Sequence, residues 1–209
     1  MRVTILEHGA GNLHSLAKAL AGPGREIVFA RDPARALDTD VLVLPGVGAF
    51  GPAAARIAPA RQALRAAIVD GLPTLGICLG MQLLFDSSEE GDGRGLGVFE
   101  GPVTMLRARR TPQVGWNTID DASGETMSGS GLLAAYYANR YACRPADAES
   151  VVAWSTHEAD RFPAMVRRGS CVGVQFHPEK SSRPGVRFLD RWLRSVAGAN
   201  AGLPLPVTR

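Results

Sequence analysis

In the first half of the chain "DVLVLPG" from Asp40 is apolar at nearly every step instead of every second step, and "VTILEHG" from Val3 and "LPTLGIC" ending at Cys78 read as strands on either side of it. A strand with one face in water alternates polar and apolar residues, whereas a continuously apolar strand needs cover on both faces. Between these runs lie segments with helical patterning, Leu13 to Ala21 and the Ala-rich stretch from Ala53 to Val69, in which Pro59 should kink or restart the helix. With "REIVFA" (Arg25 to Ala30) as a further strand and "LGMQLLFDSS" as the helix leaving the Cys78 strand, the alternation predicts an α/β fold. The expectation is a doubly wound, mostly parallel sheet flanked by helices.

The second half reads differently. "AAYYANRYAC", "VVAWST" and "AMVRRGSCVGVQF" predict additional antiparallel strands, paired as hairpins at the sheet edge. Pro102 to Arg107 reads as a short strand, "ETMSGSGLL" as an exposed connection, and Pro184 to Val196 as a closing helix. With no internal repeat and no break in composition, residues 1–200 are expected to form a single domain, and residues 201–209 a loosely held tail.

Charge and cysteine content narrow the function classes. Lys and Arg total 23 against 20 Asp and Glu, a formal charge of +3, which is too mild for a nucleic-acid footprint. No apolar run approaches the length of a membrane span, and the opening "MRVTILEHGAGN" has no signal-peptide pattern. Three widely spread cysteines, Cys78, Cys143 and Cys171, make a poor disulfide framework and fit a reducing cytoplasm.

Gly76-Ile77-Cys78-Leu79-Gly80 is the cysteine counterpart of G-x-S-x-G. A nucleophile on a sharp strand-to-helix turn needs small neighbours, because the backbone there is crowded. The helix that follows would aim its N-terminus at the sulfur, and the Leu79 N–H would face an oxyanion. A small buried core cysteine satisfies the five residues equally well. A base must come from four histidines. His8 and His14 lie near the first strand and helix, His157 in a polar turn, and His177 follows an apolar strand in "GVQFHPEKS". Glu179, two positions on, could fix the imidazole tautomer from an extended segment, with an exposed turn or a two-residue metal site as the alternatives. No further ligands stand at metal spacing. Pro45-Gly46-Val47-Gly48 ends a buried strand with bare backbone able to present N–H groups to negative charge, as many plain turns also are.

"LPGVGAFG", "GICLGMQLLF" and "GVQFHPEKS", in this order, resemble the class I (triad-type) glutamine amidotransferases. "GAGNLHSL", Met81, "SSEEGDGRGLG", "GWN" at Gly115 to Asn117 and Lys180-Ser181 bring the resemblance closest to the branch that serves imidazole glycerol phosphate synthase. It runs from about Val3 to Leu193. The resemblance implies a Cys78–His177–Glu179 triad that hydrolyses glutamine to glutamate and ammonia without a cofactor or metal. It implies oxyanion donors at Val47 and Leu79, and glutamine contacts at Gly46, Gly48, Gln82, Arg140 and Tyr141. The implied partner is a (βα)8-barrel cyclase, met near Asn12 and Lys180, with no nucleic acid or membrane involved. Two segments depart from the family pattern. Asn139-Arg140-Tyr141 stands where many relatives have His-Ser-Tyr or His-Thr-Tyr, and "RTPQVGWN" lacks a His-Met before Gly-Trp-Asn. The branch apart, the same chemistry could feed a different synthase, the fold could serve a non-hydrolytic regulatory subunit, and a Cys-dependent peptidase would use a similar sheet.

Overall fold

The computed structural model describes residues 1–8, 13–46, 48–123, 127 and 129–200, with side chains to residue 198. Among these, seven strands form one sheet: β1 (Arg2–Leu6), β2 (Glu26–Ala30), β3 (Val41–Leu44), β4 (Thr74–Ile77), β10 (Val151–His157), β11 (Asp160–Arg168) and β12 (Cys171–Val174). Their order is β10-β11-β12-β4-β3-β1-β2. From β2 to β12 every pairing is parallel, and β11 and β10 continue the sheet antiparallel beyond β12.

β3 shows why its sequence is apolar at every step. Val41 and Val43 enter one core while Leu42 and Leu44 enter the other, and all four are fully buried. On the first face pack α1 (His14–Leu20) and α5 (Ser182–Asn200), which contributes Phe188, Leu189, Trp192 and Leu193. On the second pack α2 (Phe50–Ile57), α3 (Arg61–Val69) and α4 (Leu79–Leu83). β2, at the edge, has a neighbour on one side only and leaves Phe29 exposed. Pro59 sits in the short 3-10 turn Ala58–Ala60 that separates α2 from α3, so it restarts the helix instead of kinking it.

Four expectations need correction. "AAYYANRYAC" is not a single hairpin of the main sheet: β8 (Ala134–Asn139) pairs with β7 (Gln113–Thr118), whereas β9 (Tyr141–Cys143) pairs with β6 (Pro102–Met105). β6 also pairs with β5 (Ser87–Ser88). The connection before β8 is not simply exposed, because Met127, Ser130 and Leu132 are buried. The closing helix, Ser182–Asn200, starts earlier and runs longer than the Pro184 to Val196 read from the sequence. Finally, α4 is only five residues long. It stops because the glycine-rich segment after it takes over the carbonyls: Leu96 N–H donates to Leu83 O at 2.7 Å, Val98 N–H to Leu84 O at 2.8 Å and Gly97 N–H to Phe85 O at 3.1 Å. A Cβ on Gly95 would collide with the Phe85 carbonyl, which accounts for a glycine at that approach.

Candidate active site

β3, β4 and β12 lie side by side and parallel, so their C-terminal ends open on one edge of the sheet, where open α/β sheets bind ligands. Cys78 is the residue between β4 and α4. Its backbone has φ 48 and ψ −105, a conformation that an L-residue adopts at a cost of about 1–3 kcal/mol. The flanking glycines make that turn possible. A Cβ on Gly76 would stand 2.7 Å from the Gly80 carbonyl atoms, and one on Gly80 would run into the Leu44 carbonyl. The thiol is nearly buried, at 6% exposure, and its neighbours come from several elements.

His177 follows β12 and is held by the β7–β8 ribbon. Its N–H donates to Tyr136 O at 2.8 Å, and its carbonyl accepts from the Ser181 hydroxyl at 2.6 Å. That hydroxyl in turn accepts from Tyr136 N–H at 2.9 Å. The chain beyond His177 is not extended, as the sequence suggested, but turns through a 3-10 segment, Pro178–Lys180. The turn folds Glu179 back, so that its Oε1 meets His177 Nδ1 at 2.8 Å, with both side chains buried. Pro178 supplies the fixed φ that such a turn needs at its start.

Cys78 stands close enough to the imidazole to bear on its protonation. Burial alone would make His177 harder to protonate, but the facing Cys78 and Glu179 outweigh that cost and push its pKa up to about 10. Glu179 Oε2 is buried with no hydrogen-bond partner, so the carboxylate is committed to the histidine.

Gly46 closes the site from β3. A Cβ there would lie 2.8 Å from His177 Cε1 and 2.9 Å from Cys78 Cβ, so only glycine lets the turn approach both groups. Gly48 has φ 102 and precedes α2. Leu79 opens α4 next to the sulfur. Gln82 is buried one turn on, its Nε2 donating to Tyr141 O at 3.1 Å and to Gln175 Oε1 at 3.3 Å. Tyr141 thus reaches the site by its backbone, and Arg140 is exposed. Asn139 is buried, and its Nδ2 donates to the same Tyr141 O at 3.1 Å, so this departure from the family pattern secures that carbonyl. Lys180 is exposed, its ammonium 5.9 Å from the centre of the Tyr136 ring. Asn12 and Val47 lie outside the described residues.

The remaining histidines do not join the pair. His157 ends β10, where its Nε2 contacts Arg110 O at 2.7 Å, and His14 begins α1. His8 is buried behind the glycine turn, its Nε2–H donating to Pro45 O at 2.9 Å and its Nδ1 without a partner. Burial pushes its pKa down to about 4, so the ring is neutral and supports the turn as a plain donor. Two residues escaped the sequence reading: Gln175, 3.5 Å from Cys78 Sγ, and Ser181, the bracket under His177. Gln175 carried a signal, since it stands two residues before His177 in a run that reads as a strand in the sequence, and residues two apart on a strand share a face.

A strained cysteine at a strand-to-helix elbow, with a His–Glu pair nearby in a doubly wound sheet, is an arrangement suited to covalent acyl transfer. The chain belongs to the class I glutamine amidotransferases, whose family description, "Glutamine amidotransferase class-I", matches residues 4–195. Among curated proteins it is 42% identical to imidazole glycerol phosphate synthase subunit HisH of Symbiobacterium thermophilum, over 93% of this chain and 94% of that one. The HisH subunit of Methanopyrus kandleri is 40% identical, over 94% of this chain and all of its own. A solved glutamine amidotransferase at 20% identity superposes with a TM-score of 0.70, covering 94% of this chain and 98% of that one, and so shares the fold. No helix among the described residues is long and apolar enough to cross a membrane.

Proposed function

We propose that the chain is the glutaminase subunit of an imidazole glycerol phosphate synthase, with Cys78, His177 and Glu179 as its catalytic triad. The Cys78 sulfur attacks the side-chain amide carbon of glutamine, and the carbonyl oxygen takes up negative charge toward the N–H groups of Val47 and Leu79. Collapse of the tetrahedral adduct breaks the C–N bond, and His177 gives its proton to the departing nitrogen, releasing ammonia and leaving a glutamyl thioester. Neutral His177 then takes a proton from water as the water oxygen attacks the thioester carbon. The sulfur leaves, and glutamate is released. Glu179 keeps the imidazole oriented through both halves. Gly46, Gly48, Gln82 and the Arg140-Tyr141 backbone hold the substrate.

The single observation that carries this reading is the elbow conformation of Cys78 with the His177–Glu179 pair against it. Strain of that kind has no use in a structural cysteine. The ammonia passes to a (βα)8-barrel cyclase, which uses it to make imidazole glycerol phosphate and a carboxamide ribotide in histidine biosynthesis, in the cytoplasm. The β7–β8 ribbon supports such a partner: it leaves Val114, Trp116 and, just before β8, Leu133 more than half exposed. Trp116 pairs across the ribbon with Tyr136, whose carbonyl holds His177. Asn12 and Lys180 are assigned to the same interface.

Glutamate release, measured with and without the cyclase and its nucleotide, tests the assignment. The expected result is slow turnover alone, strong stimulation by the cyclase, and no turnover in Cys78→Ala under either condition. A lone chain that hydrolyses glutamine at full rate and ignores the cyclase refutes the partner.

A further inference from the structure

A backbone carbonyl can only accept hydrogen bonds, so Tyr141 O fixes which end of the Gln82 amide it meets: the Nε2, at 3.1 Å. The same Nε2 donates to Gln175 at 3.3 Å, which turns the Gln175 oxygen toward Gln82 and its nitrogen the other way. The Gln175 Nε2 lies 3.5 Å from Cys78 Sγ. Gln175 is fully buried, and an amide is costly to bury unless both its ends are engaged. Three groups far apart in sequence therefore form a directed relay whose last N–H points at the sulfur.

We propose that Gln175 is a further catalytic residue, whose side-chain N–H donates to Cys78 Sγ and holds the negative charge that the sulfur carries before attack and on leaving the thioester. This rests on the reading of Cys78 as the nucleophile. His177 can serve the sulfur only while it keeps its proton, and it gives that proton away when ammonia departs. Gln175 has no proton to lose and keeps donating through both halves of the cycle. The relay also connects the sulfur to Gln82, so a substrate that pulls on Gln82 acts on the nucleophile through one intervening amide. The titratable groups facing Cys78 are His177, with Glu179 behind it, and Cys143 on β9. Burial raises the Cys143 thiol well above its ordinary range, so it adds no charge of its own near neutrality.

The test is the pH dependence of Cys78 alkylation by iodoacetamide in the full chain, with the alkylated residue identified by mass spectrometry. Gln175→Met fills a similar volume without a donor. Gln175→Glu keeps the oxygen that accepts from Gln82 but presents a carboxylate oxygen to the sulfur. In both variants the pH of half-maximal reactivity should move up, with alkylation at pH 7 slowed about tenfold, because a hydrogen bond to the charged form favours that form. The Glu variant should lose kcat with KM near that of the parent, since the Gln82 contact survives. An unmoved alkylation profile in folded variants overturns the proposal. Should the variants not fold, the side-chain amide proton signals of Gln175 in the unmodified chain must shift with the pH profile of Cys78 alkylation. Signals that stay fixed overturn it equally. If the underlying reading is what fails, the sign is different: glutamate release persists in Cys78→Ala, and the Gln175 proposal falls with it.

Discussion

Glu179→Gln isolates the role of the carboxylate with almost no change in shape. In the parent, Oε1 accepts from His177 Nδ1 at 2.8 Å, and Oε2 is buried without a partner. The amide can keep the first bond through its oxygen, with its NH2 at the buried position where Oε2 has no partner, but the negative charge is lost. Turned the other way, the NH2 meets the Nδ1–H donor. Either arrangement loses a charge-assisted bond worth about 1.5–3 kcal/mol, so kcat should fall roughly 10- to 150-fold. The carboxylate is also one of the groups that hold His177 at about 10, against an ordinary 6.5. Because the folded value is the higher one, the stability contributed by the protonated ring is complete below pH 6.5 and is lost as pH rises toward 10. The variant should lose part of that alkaline slope, and the alkaline limb of its kcat profile should move to lower pH. Stopped assays of glutamate release across pH 6–10, beside urea melts over the same range, read both effects. A variant with parental kcat and an unmoved alkaline limb would refute the orienting role of Glu179.

Gly80→Ala puts a methyl group into the Leu44 carbonyl. Overpacking of this kind costs about 1–3 kcal/mol and shifts the backbone, so a lowered melting temperature together with loss of glutaminase activity is expected; parental values of both would contradict the elbow packing. His8 has the opposite pH sign to His177. Its folded value of about 4 lies below 6.5, so stability is full above pH 6.5 and declines as pH falls toward 4. Urea melts of His8→Gln, which keeps a donor for Pro45 O, should show a shallower decline in that window than the parent. An identical decline would mean that other groups carry it.

The sheet was legible because physics leaves few choices for a strand like β3, which must bury Val41 and Val43 on one side and Leu42 and Leu44 on the other. The elbow was legible too, since glycines at 76 and 80 around a cysteine serve a tight approach that shows up in sequence as missing side chains. What stayed hidden depended on long-range pairing. Nothing local in "AAYYANRYAC" says that it splits between two small sheets, because β7 and β6, which do the splitting, lie well upstream, Thr118 pairing with Ala134 and Met105 with Tyr141. The Gln175–Gln82 link has the same character: an amide in a strand reads as an ordinary polar residue until the fold brings its acceptor and the sulfur together. The turn at Pro178 was half legible. Proline announced a restricted backbone, but only the bracket of Ser181 and Tyr136 determines that Glu179 returns to its neighbour's ring.

The central claim is that Cys78 forms a glutamyl thioester with glutamine. Rapid quenching of the turning-over chain in acid, followed by digestion and mass spectrometry, reads it directly. A glutamyl group on the peptide containing Cys78, absent in Cys78→Ala, is the predicted result. Turnover in Cys78→Ala, or a glutamyl group on any other residue, would contradict it.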